Sequence, residues 1–225
     1  MLKEFYKNKT ILITGANSGL GKNMAINYAK NGAKIINISR DSNKMINLSK
    51  QLDNYNNKKN LYYPADISNY KQIEIIKKKL INSNNFPDII INNAAGNFLA
   101  PFKNLSENGW KRIIDIVLNG TFNVTHQFGN EMIKKKKKGV FLNISTTYSN
   151  TGSALVIPSA VAKSGVDTLM KSLTVEWGKY NIRFVGIAPG PMNDTGGVVK
   201  LDPFNMFKYL NDYTNPSGRM CELDE

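Results

Sequence analysis

Cysteine and histidine are nearly missing from this chain of 225 residues, which contains one of each, Cys221 and His126. A single cysteine excludes an internal disulfide framework and any zinc site built from several cysteines. A single histidine argues against a histidine-based triad and against a centre with several histidine ligands. No apolar run approaches the roughly 18 residues that a membrane span requires. The sequence therefore predicts neither a bound metal nor a membrane-spanning segment.

Acidic residues are also scarce, with 17 Asp and Glu against 30 Lys and Arg, and the net charge is +13. A positive field of this kind attracts nucleic acids and other phosphates. The lysines, however, are spread over the whole chain and interleaved with Asn. This distribution favours a general bias in amino-acid composition over a binding face. The densest run, at 134–138, stands at the predicted end of a helix, where the helix dipole stabilises cations. We expect no nucleic-acid partner, although the charge suits a ligand with several phosphates.

Short apolar runs alternate with longer amphipathic stretches along the chain. The runs predict strands and the stretches predict helices: strands at 9–14, 34–39, 61–66, 88–92, 140–145 and 181–188, and helices at 20–30, 43–52, 70–82, 107–138 and 158–179. This alternation, with strands rich in Ile, Leu and Val, is typical of a parallel sheet covered on both faces. We predict a single α/β domain over 1–225, doubly wound and Rossmann-like, whose last part, 193–225, is a polar loop region.

A glycine-rich turn follows the first predicted strand, and its sequence at 14–21 is Thr-Gly-Ala-Asn-Ser-Gly-Leu-Gly. Its three glycines, Gly15, Gly19 and Gly21, let the backbone approach a pyrophosphate at the positive end of the next helix. After the second strand comes Arg40, whose guanidinium suits a 2′-phosphate and favours NADP(H) over NAD. Asp66, at the end of the third strand, fits two interpretations equally: contact with the adenine amino group, or capping of the next turn.

Three further segments lie at the carboxyl ends of predicted strands, where ligands bind in such sheets. Their sequences are Asn-Asn-Ala-Ala-Gly-Asn-Phe at 92–98, Ser-Thr-Thr-Tyr at 145–148 and Pro-Gly-Pro-Met at 189–192, and a fourth motif, Ser-Ala-Val-Ala-Lys at 159–163, opens a helix. Together with the glycine turn, these motifs resemble the short-chain dehydrogenase/reductase family over most of the chain. The resemblance implies cofactor contacts from Gly15, Asn17, Ser18, Gly19, Leu20, Gly21, Arg40, Asp66, Asn93, Lys163, Pro189, Gly190 and Met192.

In that family the lysine matching Lys163 holds the nicotinamide ribose, and the asparagine matching Asn119 links this lysine to solvent. The family places a tyrosine, the proton donor to a carbonyl, four residues before the lysine. This chain has Ser159 there. A serine hydroxyl is far too weak an acid to replace a phenol of lowered pKa. Ordinary ketone or alcohol chemistry at this position is therefore in doubt.

One branch of the family shows the same departure, and the chain resembles that branch, the mitochondrial-type 2,4-dienoyl-CoA reductases. The likeness rests on INNAAGNFLAP at 91–101, DIVLNGT at 115–121, the stretch 146–163, and EWGKY at 176–180. It implies that Tyr148, which the peroxisomal relatives lack, acts with Asn97, while Ser159 bonds within the site. For an acyl-CoA thioester substrate it implies contacts from Phe98, Ser106 and Lys200, the last standing where the family has an arginine.

The resemblance also carries expectations about assembly, location and the end of the chain. It implies a homo-oligomer and a mitochondrial location, with the cytoplasm as the alternative because no presequence is visible before the first strand. Members of the family usually finish with one more helix and strand, whereas this sequence stops at Glu225, inside what resembles the loop before that helix. Two interpretations stay open: the sequence is a fragment of a longer chain, or the protein lacks that helix and strand, which would leave the sixth strand as an exposed edge of the sheet.

The predicted chemistry is consistent with elementary electrostatics. A hydride delivered to the far carbon of a conjugated thioester sends negative charge to the thioester oxygen, where a phenol hydroxyl and an amide NH2 would stabilise it. Two alternatives stay open: another oxidoreductase of this family acting on a carbonyl or a different acyl thioester, with Tyr148 as the acid, and an inactive cofactor-binding module that associates with RNA. Taken singly, Tyr148 could also be a loop aromatic, Asn97 a turn residue and Ser159 a helix N-terminal residue.

Overall fold

A computed structural model of the chain describes residues 2–192 and 218–223. Its strands are Thr10–Thr14 (β1), Lys34–Ser39 (β2), Leu61–Pro64 (β3), Ile89–Asn92 (β4), Gly139–Ile144 (β5) and Ile182–Ile187 (β6). Its helices are Leu2–Tyr6 (α1), Gly19–Lys30 (α2), Ser42–Asn56 (α3), Tyr70–Asn82 (α4), Glu107–Ile114 (α5), Gly120–Lys134 (α6), Tyr148–Thr151 (α7) and Ile157–Trp177 (α8). A π-helical turn, Asp115–Asn119, joins α5 to α6, and 3-10 turns cover Phe102–Asn104 and Gly178–Tyr180.

The six strands form one parallel sheet in the order β3-β2-β1-β4-β5-β6. The first strand thus pairs on both sides, Ile11 lying opposite Ile35 of β2 and Ile89 of β4. The strand order reverses between β1 and β4, and the crevice outside the carboxyl ends at such a reversal is where ligands bind in open α/β sheets. We call the side of the sheet where the strands end the carboxyl edge.

Helices cover both faces of the sheet, because alternate residues of each buried strand point to opposite faces. In β1, Leu12 belongs to a core shared with residues of α4 and α6, whereas Ile11 and Ile13 belong to a core shared with residues of α2 and α3. Phe128 of α6 and Phe141 of β5 are fully buried in the first core. The predicted doubly wound, Rossmann-like class is therefore confirmed.

The element boundaries differ from the predicted ones where local contacts decide them. Helix α1 was not expected from the apolar pattern. The third strand ends at Pro64 instead of Asp66: Ala65 N still donates to Ser39 O at 2.8 Å, but Asp66 N donates to the Gln72 side chain at 2.9 Å, so the backbone leaves the ladder there. The helical stretch predicted at 107–138 ends at Lys134, and its middle is the π-helical turn. Lys136 follows with a φ of 50°, which stops the helix.

Within the described residues, β6 is the outer strand of the sheet, and Val185 and Ile187 on it are 45% and 49% exposed. The described residues near the end of the chain, 218–223, lie beside the segment that follows β6. There the backbone N–H of Cys221 donates to the Pro191 carbonyl at 3.0 Å. Most of the predicted loop region at 193–225 lies outside the described residues, as does the predicted substrate contact Lys200. No helix in the described ranges is long and apolar enough to cross a bilayer.

Candidate active site at the carboxyl edge

The glycine turn wraps closely around the start of α2. Gly15 and Gly19 have φ values of 70° and 51°, a region that side-chain-bearing residues rarely adopt. A Cβ on Gly21 would lie 2.6 Å from the Gly15 carbonyl oxygen, so only glycine fits there. Ser18 occupies the N-cap position of α2, but its side chain makes no capping bond, and the first turn contains no acid. Free N–H groups and an exposed hydroxyl at a helix N-terminus fit a diphosphate.

Asn93, predicted to contact the cofactor, fastens the glycine turn to the loop after β4. Its Nδ2 donates to Thr14 O at 2.9 Å and to Gly15 O at 3.2 Å. The hydroxyl of Thr14 accepts from the backbone N–H groups of Asn93 and Ala94, both at 3.0 Å. These bonds hold the ends of the two strands at the reversal point together.

A residue that the sequence analysis missed, Asn37, ties the glycine turn to the second strand. Its Nδ2 donates to Asn17 Oδ1 at 2.8 Å, and its Oδ1 accepts from Ser39 Oγ at 2.7 Å. Asn17 in turn donates to the Asp41 carbonyl at 3.1 Å, next to Arg40. Asn37 is buried between Ile36 and Ile38 of β2, and a polar residue inside an apolar run was the signal available in the sequence.

The two charged residues predicted near the adenosine end are Arg40 and Asp66. Arg40 is exposed, while Asp66 Oδ1 accepts from Ser68 N at 3.0 Å and from Ser68 Oγ at 2.7 Å, so Asp66 caps the turn. Partial burial raises the pKa of the Asp66 carboxyl, but the Ser68 bonds and the charges of Arg40 and Arg112 outweigh it and leave the pKa lowered.

Three predicted catalytic side chains meet at the ends of β4 and β5. Asn97 Nδ2 donates to Tyr148 Oη at 3.2 Å, and Tyr148 Oη lies 3.2 Å from Ser159 Oγ. Asn97 Oδ1 accepts from Phe98 N at 2.9 Å, which turns the amide NH2 towards the phenol. Tyr148 is half-buried at the start of α7, and its N–H donates to Thr146 Oγ1 at 3.1 Å. The phenol oxygen therefore has a defined position between an amide and a second hydroxyl.

Lys163 lies on α8 one turn after Ser159, and it is only 7% exposed. Its ammonium donates to the Ile144 carbonyl at the end of β5. Burial lowers the pKa of Lys163 to about 8, and the nearby Asp167 carboxylate opposes this only partly. Asn119 stays a prediction as the link between Lys163 and solvent, and its Nδ2 donates to Asp115 Oδ1 at 2.8 Å within the π-helical turn. The structure thus brings Lys163 to the site but gives Asn119 a local partner.

The remaining predicted residues lie around this cluster. Phe98 packs against a buried cluster formed by residues of α5, the π-helical turn and α8, and Ser106 caps α5 by accepting from Gly109 N at 3.1 Å. Leu20 lies in the first turn of α2, while Pro189, Gly190 and Met192 follow β6 at the same edge. Among the described residues, no three His, Cys, Asp or Glu side chains group as metal ligands would.

Comparisons with known proteins agree with this geometry. Residues 9–204 match the model of the short chain dehydrogenase family. The chain is 38% identical to a probable 2,4-dienoyl-CoA reductase [(2E)-enoyl-CoA-producing] of Bacillus subtilis, with 97% of this chain and 86% of the relative covered. It is 33% identical to a probable 2,4-dienoyl-CoA reductase [(3E)-enoyl-CoA-producing] of Caenorhabditis elegans, with 98% and 72% covered. A crystal structure of a short chain dehydrogenase from Bacillus anthracis superposes with a TM-score of 0.89 at 37% identity, with 97% and 86% covered.

Proposed function

The chain belongs to the short-chain dehydrogenase family, and within it we propose that this protein is an NADPH-dependent 2,4-dienoyl-CoA reductase. Oxidoreductase activity with a nicotinamide cofactor follows from membership of the family. The dienoyl-CoA substrate is our inference, supported by relatives with that name at 31–38% identity. The observation that carries it is the contact of Asn97 and Ser159 with one phenol oxygen, that of Tyr148.

The residues at the carboxyl edge fit an NADPH molecule. The N-terminus of α2, with the unengaged Ser18 hydroxyl, would hold the diphosphate, and Arg40 would meet the 2′-phosphate. Lys163 would hold the nicotinamide ribose. When bound, the reduced nicotinamide supplies a hydride.

Tyr148 and Asn97 are the proposed donors to the thioester oxygen. The amide NH2 of Asn97 has two protons, and one of them already bonds to Tyr148 Oη, which leaves the second for the substrate. Because Tyr148 accepts from Asn97, its own hydroxyl proton is available to donate, either to Ser159 Oγ or to an entering oxygen. Two donors from separate strand ends would then share the charge of a dienolate, and each such donor typically contributes about 10²- to 10³-fold in rate.

Ser159 and Lys163 support these donors from α8. The Ser159 hydroxyl holds the Tyr148 phenol in place without competing as an acid, because its own pKa is far too high. Lys163 adds positive potential at the end of β5 when it is protonated. Protonation of the dienolate at carbon would follow as a separate step. The site thus stabilises charge on oxygen and does not require a proton donor at position 159.

The direct test is to incubate the purified protein with NADPH and a 2,4-dienoyl-CoA and to follow the loss of NADPH absorbance. We expect turnover with the dienoyl thioester and none with simple ketones, and turnover of ketones or 3-ketoacyl thioesters alone would overturn the proposal. Tyr148→Phe serves as the matched inactive control. Chromatography of the product separates a 2E from a 3E enoyl-CoA, the two products specified in the names of the Bacillus subtilis and Caenorhabditis elegans relatives.

A mitochondrial location and a homo-oligomeric assembly remain predictions from the resemblance. Imaging of the tagged protein in its own cell tests the first, and sedimentation of the purified protein tests the second.

A further inference from the structure

The edge of the sheet where the strands begin, opposite the candidate active site, is strongly basic. We call it the amino edge and define it as residues 2–9, 31–34, 57–60, 83–88, 135–139 and 178–183. These segments contain 12 Lys and Arg against only Glu4 and Asp88, so they carry +10 of the net charge of +13. The corresponding segments at the carboxyl edge, 15–18, 40–41, 65–69, 93–106, 145–156 and 188–192, carry two bases and two acids. A general excess of lysine in the composition would not produce this contrast.

Side-chain contacts join the amino-edge segments into one surface. Lys58 donates its ammonium to the carbonyl of Lys7 and, at 2.6 Å, to that of Gly32. Lys34 donates to Asn85 at 2.5 Å, and Lys137 pairs with Asp88 at 2.8 Å. Burial and the charges of Lys58 and Lys59 lower the pKa of Lys34, as expected where cations crowd together. These interactions leave most of the other lysines of the surface exposed to solvent.

Aromatic side chains are interleaved with these lysines. Every cation–π pair of the described residues lies at the amino edge or at the adjoining helix ends: Lys9 with Phe5, Lys30 with Tyr55, Lys135 and Lys137 with Phe86, and Lys179 with Tyr180. Phe5, Tyr55 and Tyr180 are 55%, 41% and 40% exposed. The helix dipole explains cations at helix carboxyl ends. It gives no reason for exposed aromatic rings beside them.

We propose that the amino edge docks onto the anionic headgroup layer of a lipid bilayer. Lysines near such a surface are attracted by its negative potential, and Phe and Tyr rings favour the boundary between headgroups and acyl chains. The surface has 11 lysines but a single arginine, Arg183, whereas phosphate and base recognition in nucleic acids favours the guanidinium. This composition favours a lipid surface over RNA. In the docked state the carboxyl edge would face away from the bilayer, open to substrate.

The test is co-sedimentation with vesicles of phosphatidylcholine alone and of phosphatidylcholine mixed with phosphatidylserine. An edge variant carries Lys7→Gln, Lys59→Gln, Lys136→Gln and Lys138→Gln, whose ammonium groups make no hydrogen bond or ion pair with described residues. A control variant carries Lys50→Gln, Lys71→Gln, Lys103→Gln and Lys171→Gln, which are exposed lysines away from the amino edge. Both variants lose four charges, so net charge alone cannot distinguish them.

We expect the unmodified protein to bind the phosphatidylserine vesicles and not those of phosphatidylcholine alone, with affinity falling as salt rises. A lysine at such a surface contributes about fivefold, so the edge variant should bind at least about tenfold more weakly, while the control variant stays within about threefold. Phe5→Ser, which leaves the charge unchanged, should also weaken binding to the phosphatidylserine vesicles. Failure of the unmodified protein to bind, or equal losses in the two four-lysine variants, would overturn the proposal. So would salt-sensitive binding to single-stranded RNA without vesicle binding.

Discussion

The hydroxyl of Tyr148 is the group whose removal tests the proposed site most directly. Tyr148→Phe keeps the half-buried ring and deletes an oxygen that lies 3.2 Å from both Asn97 Nδ2 and Ser159 Oγ. A neutral hydrogen bond contributes about 1 kcal/mol to stability, and these two are long, so we expect a loss of roughly 1 kcal/mol in the free energy of unfolding. The effect on catalysis should be larger, because in the proposed reaction negative charge on the thioester oxygen is absent from the bound substrate and develops on the way to the dienolate.

Loss of one preorganised oxyanion donor typically lowers kcat by about 10²- to 10³-fold. We expect a fall of this size in NADPH oxidation with a 2,4-dienoyl-CoA, measured as steady-state kcat. The affinity for NADPH, measured by fluorescence titration, should change by less than about twofold, because the phenol is not among the predicted cofactor contacts. Tyr63→Phe is the matched control, since it removes the hydroxyl of another half-buried tyrosine, on the distant strand β3.

Asn97→Ala, alone and combined with Tyr148→Phe, tests whether the amide and the phenol act together. If the amide and the phenol donate to the same oxygen, the losses in the double variant should be less than additive, as is general for groups that act as a unit. The reasoning is refuted if Tyr148→Phe lowers kcat by less than about threefold. It is also refuted if Ser159→Ala abolishes turnover while Tyr148→Phe preserves it, because the serine would then be the essential group.

Three further variants test the cofactor end of the site and the buried lysine. Lys163 has a pKa of about 8 against an ordinary value of 10.5, so the unfolded chain binds more protons between these values and the free energy of unfolding should rise with pH across that window. Urea titrations over this range should find that the stability of Lys163→Met relative to the parent falls by about 3 kcal/mol between about pH 8 and pH 10.5, because only the parent loses the cost of a buried charge; a constant difference would contradict the assignment. Gly21→Ala would push a Cβ against the Gly15 carbonyl and should lower NADPH affinity at least about tenfold, whereas Gly178→Ala, whose Cβ would meet nothing within 4 Å, should leave it unchanged. Arg40→Leu should raise the Kd for NADPH by about 10- to 100-fold and leave the Kd for NADH unchanged, since only the 2′-phosphate is lost as a partner; equal weakening of both cofactors would argue against a 2′-phosphate contact.

The strands and the helices between them could be predicted because each is recognisable from the pattern of apolar residues in its own short stretch of sequence. β1 and β2 are rich in buried isoleucine and leucine, and the helices between strands carry their apolar residues at helical spacing. The short helix α1 was missed because five residues are too few for a periodic pattern. The π-helical turn was missed because a π-helical turn has one more residue than an α-helical turn but contains the same types of residue. What escaped prediction was therefore the very short helices, α1 and α7, and irregularity within the longer elements, and not the order of the strands and long helices.

At the candidate site, the residue types were predictable and some of their partners were not. The glycine turn could be recognised from its spacing, and the pairing of Tyr148 with Asn97 was expected from the family resemblance. The bonds of Asn37 to Asn17, of Lys163 to the Ile144 carbonyl and of Asn119 to Asp115 depend on distances that arise only when the strands and helices have packed. Sequence spacing contains no information on which of several amides will meet a given oxygen.

The position of the Tyr148 phenol explains how a site that lacks the tyrosine expected on α8 can still have a hydroxyl that donates to a substrate oxygen. Ser159 Oγ is 3.2 Å from Tyr148 Oη, so a ring that starts on α7 brings its hydroxyl beside the α8 position where the family has its tyrosine. The small serine side chain leaves space for that ring, and it holds the ring by a hydrogen bond. Asn97 then adds a second donor, which a conjugated thioester needs more than a ketone does, since the reduction leaves charge on oxygen before any proton arrives at carbon. Serine in place of tyrosine at position 159 is thus compatible with the reduction of a conjugated thioester and does not by itself imply an inactive site.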